Sequence, residues 1–189
     1  PQKGSGFRSL CVDPADFQRQ MAFLHGLGYR GLSMSALQPY LRGERSGKVF
    51  GITFDDGYLN NLINALPTLQ WYGFSATCYC ISGMLGQTNS WDLDNRVPPS
   101  PLMTALHLRQ WVGGGQEVGA HTRHHVRLPS LDVVSASDEI VLCKTDLEQI
   151  TGKAVEHFCY PYGEYGPEHV AMVQQAGYVS ATTTRRGRS

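Results

Sequence analysis

Two places in this chain of 189 residues combine residue types and spacings that could do chemistry. In VFGITFDDGY, residues 49–58, a short apolar run ends in adjacent carboxylates, Asp55 and Asp56, followed by Gly57. Val49, Phe50, Ile52 and Phe54 suit an interior strand, and carboxylates at its end are costly to bury unless their charge is compensated. A metal cation compensates it. Neighbouring residues leaving a strand point in different directions, so one carboxylate, Asp56, can bind an ion while Asp55 faces the water that the ion activates. Taken alone, the same residues also read as a strand-to-helix turn with Asp56 as a helix cap.

The second place is His121-Thr122-Arg123-His124-His125. Histidines four apart share one face of a helical turn and can present two imidazoles to one ion, and the three-residue spacing to His124 is also compatible with ligation. Alone, such a cluster reads as a solvated loop. With Asp56 added, His121 and His125 complete two nitrogens and one oxygen, leaving a position for water as a catalytic zinc-type site requires. Such an ion lowers the water pKa to about 7, and Asp55 could take the remaining proton. The expected cofactor is one divalent ion, zinc first, with cobalt and nickel accepted by the same ligand types. A separation above about 8 Å between Asp56 and both histidines would exclude a shared ion, because ligands sit near 2 Å from it.

These residues need elements to hold them. Asp13-Pro14 opens a helix whose apolar positions, Phe17, Met21, Leu24 and Leu27, keep helical spacing to Gly28. A strand over 29–33 and a short helix over 35–41 precede the strand that ends in the aspartates. Leu59, Leu62, Ile63, Leu66 and Leu69 make an amphipathic stripe that Pro67 must kink or restart. The spacing then predicts a strand over 75–82, a long loop over 83–101, a helix over 102–112 and a strand over 116–120 that runs into His121. A long helix over 131–150, a strand over 155–160, a helix over 168–176 and a strand over 178–184 complete the chain. Strands alternating with helices imply a parallel α/β architecture, open and doubly wound or a β/α barrel. Asp55–Gly57, His121–His125 and Tyr160–Gly163 all leave the C-terminal ends of candidate strands, which favours a barrel, where those ends meet on one face. Six strand candidates imply fewer than eight strands, or a last piece beyond Ser189.

The length and 41% hydrophobic content suit a single domain over residues 1–189. Sixteen basic residues cancel sixteen acidic ones, so no electrostatic footprint for nucleic acid or an anionic membrane is present. No apolar run approaches the roughly 20 residues that span a bilayer, and no leader is visible. The five cysteines, Cys11, Cys78, Cys80, Cys143 and Cys159, lack metal-ligand spacing and do not read as a disulfide framework. Cys78 and Cys80 share one strand face as small core residues, which leans towards a reducing compartment and leaves localisation open.

Thr53-Phe54-Asp55-Asp56-Gly57, His121-Thr122-x-x-His125 and Tyr160-Pro161-Tyr162-Gly163 resemble, in that order, the first three motifs of the polysaccharide deacetylases, the NodB-homology or carbohydrate esterase family 4 domain. The flanking Gly73-Phe74-Ser75-Ala76-Thr77, Glu117-Val118-Gly119-Ala120 and Ala176-Gly177-Tyr178 are similar to the family too, so the resemblance spans roughly residues 14–187. It implies a distorted (β/α) barrel, seven-stranded in the family, and a metal-dependent hydrolase that removes N-acetyl, sometimes O-acetyl, groups from oligo- or polysaccharides. By position it makes Asp55 the catalytic base, Asp56, His121 and His125 the metal ligands, and the backbone amide of Tyr162 the oxyanion contact. Metal-bound water, deprotonated by Asp55, then attacks the acetyl carbonyl.

Pro161, Tyr162, Trp91 and Thr122 are the expected substrate contacts. Trp91, in the long loop, and Tyr162 could stack on sugar faces; Trp91 could equally anchor the loop, and Thr122 could instead support the ligands. Asp92 and Asp94 could bond sugar hydroxyls or remain solvated. Trp111 reads as core, and His124 as a bystander. Two positions depart from the family. Cys159 stands where an arginine often orients the catalytic aspartate, as in the subset ending in Tyr-Pro-Tyr-Gly, and the late Leu-x-His that supplies a general acid is absent. His169, the only later histidine, lies in a helical pattern and reads as core or surface. Three activities stay open: a glycan deacetylase, a hydrolase of small cyclic amides on the same fold, and a sugar-binding module without turnover.

Overall fold

The computed structural model describes residues 11–95 and 97–185, and of residues 93–95 the backbone alone. Helix α1, Pro14–Gly26, starts where Pro14 cannot donate and the Asp13 carboxylate accepts the Ala15 amide at 2.9 Å. Strand β1, Arg30–Leu32, leads into helix α2, Met34–Leu41. Strands β2, Val49–Gly51, and β3, Thr53–Phe54, are one run interrupted at Ile52. The Ile52 amide donates to Leu32 at 2.9 Å while its carbonyl accepts from Thr77 at 3.0 Å, so this residue stitches the β1-β2 pair to the rest of the sheet. A π-helical turn, Asn61–Ala65, precedes helix α3, Leu66–Tyr72, with Pro67 in its first turn, so the proline restarts the helix.

Strand β4, Thr77–Cys80, is followed by a long connection holding two short 3-10 turns, and then helix α4, Ala105–Gly113. Strand β5, Glu117–Ala120, ends at His121; helix α5, Val133–Thr151, is capped by Asp132. Strand β6, His157–Cys159, helix α6, Pro167–Gln175, and strand β7, Ser180–Thr182, follow. The pairings between these strands are parallel, in the order β1-β2 and β3-β4-β5-β6-β7.

The sheet is strongly curled. Strands lie about 4.8 Å apart, so β4 and β7, three places apart, would sit roughly 14 Å apart if flat. Yet the Tyr79 hydroxyl meets the Thr182 hydroxyl at 2.7 Å across the hollow. Gly119 on β5 allows it, because a Cβ there would lie 2.4 Å from the Tyr79 ring. This curled half-barrel of parallel strands agrees with the barrel that the strand-end loops favour and with the distorted barrel that the family resemblance implies. Alternation along the strands sends Cys78, Cys80, Val118, Ala120 and Phe158 outward into the core with Trp111, Ile140 and Leu147 of the helices. Thr77, Tyr79, Glu117, His157 and Cys159 take the other face and line the hollow. Among the described residues no helix is long and apolar enough to cross a membrane.

Candidate metal centre

Three strand ends deliver the expected residues to one place. At the exit of β3 the backbone turns through positive φ at Asp56 (69°) and Gly57 (74°). Gly57 suits the turn twice, by that φ and because a Cβ would crowd the Cys80 sulfur at 3.2 Å. The turn swings Asp56 away from Asp55 and towards the histidines. Its Oδ1 lies 3.4 Å from His121 Nε2 and 3.3 Å from His125 Nε2. The three ligand atoms all fall within 4.8 Å of one another, and His124 is not among them.

That geometry fits a shared ion. Two donors each about 2.1 Å from a tetrahedral centre stand roughly 3.4 Å apart. Both imidazoles are also oriented from behind. His121 Nδ1–H donates to the Cys159 carbonyl at 2.8 Å, and His125 Nδ1 lies 3.1 Å from the Tyr162 hydroxyl, which leaves both Nε2 atoms for the centre. The His125 ring is held between Trp91 and Tyr162, with centroids at 4.6 Å and 4.7 Å. Electrostatically the pocket demands positive charge. Burial works against the Asp56 charge, but the hydrogen bond and charge of His121, with His125 and Tyr58, hold its carboxyl below the usual range. Burial likewise opposes charge on His121, yet Asp56 raises its pKa well above the ordinary value. Burial and then the neighbouring His121 push His125 down to about 4.

Asp55 occupies a different environment. Solvent reaches it, yet protein surrounds it closely enough for desolvation to raise its pKa, with His121 opposing and Asp56 assisting. The Cys159 thiol is a near neighbour that works weakly against that rise, at the position where an arginine often stands in the family.

Backbone strain concentrates here. Among the described residues, four non-glycine residues have positive φ, Asp56, Thr122 (63°), His125 (55°) and Tyr162 (59°), and all belong to this site. Such conformations cost about 1–3 kcal/mol each and persist where the surroundings over-determine them. Thr122 is part of that support. Its hydroxyl donates to the His121 carbonyl at 2.6 Å and accepts the His125 amide at 3.0 Å.

Two expected substrate contacts are buried within the turns of the site. Thr122 is fully buried, and Pro161 is buried too, because each side chain supports the turn that it belongs to. Trp91 and Tyr162 stay on the rim; Trp91 both anchors its loop on His125 and keeps part of its surface. The Asp94 side chain lies outside the described residues. Trp111 is core, its indole N–H donating to the Glu117 carbonyl at 2.8 Å, and His169 is buried, its Nδ1 accepting the Gly166 amide at 2.9 Å. Residues that sequence reasoning missed include Tyr58, which helps to hold the Asp56 carboxyl below its usual range, Arg127, stacked 4.1 Å above the Tyr162 ring and paired with Glu164, and Glu139 of α5. Tyr58 was adjacent to the motif; nothing local marks the other two.

A curled parallel half-barrel of this chain carries, at its strand ends, an Asp-His-His set able to hold a metal ion. A family model for polysaccharide deacetylases matches residues 42–181, and the chain belongs to that family. The Bacillus subtilis (strain 168) protein YxkH, whose name places it among the polysaccharide deacetylases, is 27% identical over 185 residues, 97% of this chain and 62% of that protein. The chain thus spans less than two thirds of that relative. A polysaccharide deacetylase from Bacillus cereus is 29% identical, with TM-score 0.79 over 99% of this chain and 55% of its own. The structure of IcaB from Ammonifex degensii, 22% identical, superposes with TM-score 0.81 over 93% of this chain and 77% of that one, a likeness of fold.

Proposed function

We infer that this chain is a metal-dependent hydrolase that removes N-acetyl groups from a glycan, of the Tyr-Pro-Tyr-Gly subset. The observation that carries the reading is Asp56 Oδ1 within 3.4 Å of two imidazole Nε2 atoms, with Asp55 on the same strand end and turned elsewhere. Asp56, His121 and His125 would hold one divalent ion, zinc first. When bound, it supplies Lewis acidity to a water and to the acetyl carbonyl.

The remaining work falls to residues of the chain. Asp55 accepts the proton of the attacking water, being the carboxylate of this strand end that is not grouped with the two imidazoles. The Cys159 thiol beside it is neutral, so the carboxylate is spared the strong pKa depression that an arginine imposes. The amide of Tyr162, presented by its strained turn, donates to the developing oxyanion. Trp91 and Tyr162 offer flat apolar faces on which a sugar ring can pack.

The test is acetate release from N-acetylglucosamine oligomers by protein reloaded with zinc, cobalt or nickel. Release that a chelator abolishes and that Asp55→Asn lowers by at least about 10²-fold supports the reading. Ring-opening of a cyclic amide without acetate, or oligosaccharide binding without product at saturating metal, overturns it.

A further inference from the structure

We propose that Glu139 is a positioning residue for the metal centre, its carboxylate on helix α5 clamping the His121–His125 loop in the shape that aims both imidazoles at Asp56. The inference rests on the metal reading above. Glu139 Oε2 accepts two successive backbone amides, Arg123 at 2.8 Å and His124 at 2.9 Å, while Oε1 lies 2.6 Å from His124 Nδ1. Consecutive amides converging on one oxygen form a small anion cradle, and here the anion belongs to the protein. The gripped amides sit between Thr122 and His125, the two residues of this loop at positive φ. Strain of that kind endures only where several contacts fix it, and Glu139 supplies three.

The other side of the loop is closed as well. The Gly83 amide donates to the Arg123 carbonyl at 2.9 Å, and a Cβ on Gly83 would lie 2.8 Å from His124 Nε2. One heptad along α5 from Glu139, Asp146 accepts from Arg123 Nε at 3.0 Å and from the Ser82 hydroxyl at 2.8 Å. Thus α5 holds the loop at two points while the exit of β4 holds its opposite edge. His124, no ligand itself, is one jaw of the clamp. An exposed carboxylate-histidine pair would do little, whereas a half-buried carboxylate on two amides fixes backbone.

The experiment compares wild type with Glu139→Ala, Glu139→Gln and, as a control on the exposed side of α5, Asp138→Asn. It reads zinc and cobalt affinity by chelator competition, the cobalt absorption spectrum at saturation, and amide exchange of residues 122–125 in metal-free protein. The clamp predicts affinity about 10- to 100-fold weaker in Glu139→Ala, an altered cobalt spectrum and faster exchange at Arg123 and His124. Glu139→Gln, which still accepts, loses less, and Asp138→Asn nothing. Affinity within twofold of wild type and an unchanged spectrum in Glu139→Ala overturn the proposal. Should that variant fail to fold, the double variant Glu139→Gln, His124→Ala is judged by the same limits. Wild type that binds neither ion removes the metal reading instead; equal exchange in wild type and Glu139→Ala then overturns the clamp on its own.

Discussion

Tyr162 shows how one side chain can serve several neighbours. Its ring packs on His125 with Arg127 stacked on its own face, its hydroxyl lies 3.1 Å from His125 Nδ1, and its φ of 59° turns the backbone. If the hydroxyl sets the imidazole orientation, Tyr162→Phe keeps the stack and loses about tenfold in metal affinity. Chelator competition checks this, and unchanged affinity would assign the orientation to the ring alone. Sequence reasoning gave Tyr162 a backbone amide and a sugar-stacking face but no view of that hydroxyl. The contact exists because β5 and β6 pair side by side, which brings the loops at their ends together, and no local spacing encodes it. The grouping of Asp56, His121 and His125 was legible because few residue types can share an ion. The burial of Thr122 and Pro161 was not legible, because position in a motif does not report burial, although support of the ligands was one of the two roles open to Thr122.

At the scale of elements, the strands were legible from alternation and the helices from spacing and caps, as Asp13-Pro14 and Asp132 illustrate. Two details were hidden. Pro67 cannot donate to the carbonyl four residues back, and the preceding turn widens so that the Leu66 amide reaches Asn61, a π-helical bond. Ile52 interrupts its strand because its two polar groups serve different neighbours, which depends on partners distant in sequence. Gly119 is the element-scale feature with the sharpest consequence. A methyl there would meet the Tyr79 ring at 2.4 Å and the His157 carbonyl at 3.0 Å, so the ring must move and with it the bond to Thr182. Overpacking of this kind costs about 1–3 kcal/mol. Urea unfolding of Gly119→Ala should show a loss in that range, and a midpoint equal to wild type would mean that the curl tolerates a Cβ beneath Tyr79.

Across the whole molecule, the hollow of the half-barrel is polar along its length, unlike barrels filled by branched apolar side chains. Asp55, Cys159 and His121 stand at one end, Tyr79 and Thr182 in the middle, and Ser35, Glu117, His157 and Ser180 at the other. There the Ser35 hydroxyl donates to Glu117 at 3.1 Å and lies 2.9 Å from His157 Nε2, while His157 Nδ1 meets the Ser180 hydroxyl at 2.8 Å. Glu117 also accepts the Ser35 amide at 3.0 Å, anchoring the start of α2 inside the curl. This arrangement satisfies a neutral imidazole. Burial holds His157 below its ordinary pKa of 6.5, outweighing the attraction of Glu117, 3.3 Å away, and of Glu156, with Lys144 acting in the same direction as burial. A folded-state pKa below the unfolded value means that stability is complete above about pH 6.5. It is lost as pH falls towards the folded pKa, because only the unfolded chain takes up the proton there. At its steepest the loss is about 1.4 kcal/mol per pH unit. Denaturant unfolding of metal-free wild type and His157→Gln between pH 8 and pH 5, with chelator present so that ligand protonation is common to both, isolates the term. Wild-type stability should fall more steeply below pH 6.5 than that of the variant, and parallel curves would show that the proton uptake belongs to other groups.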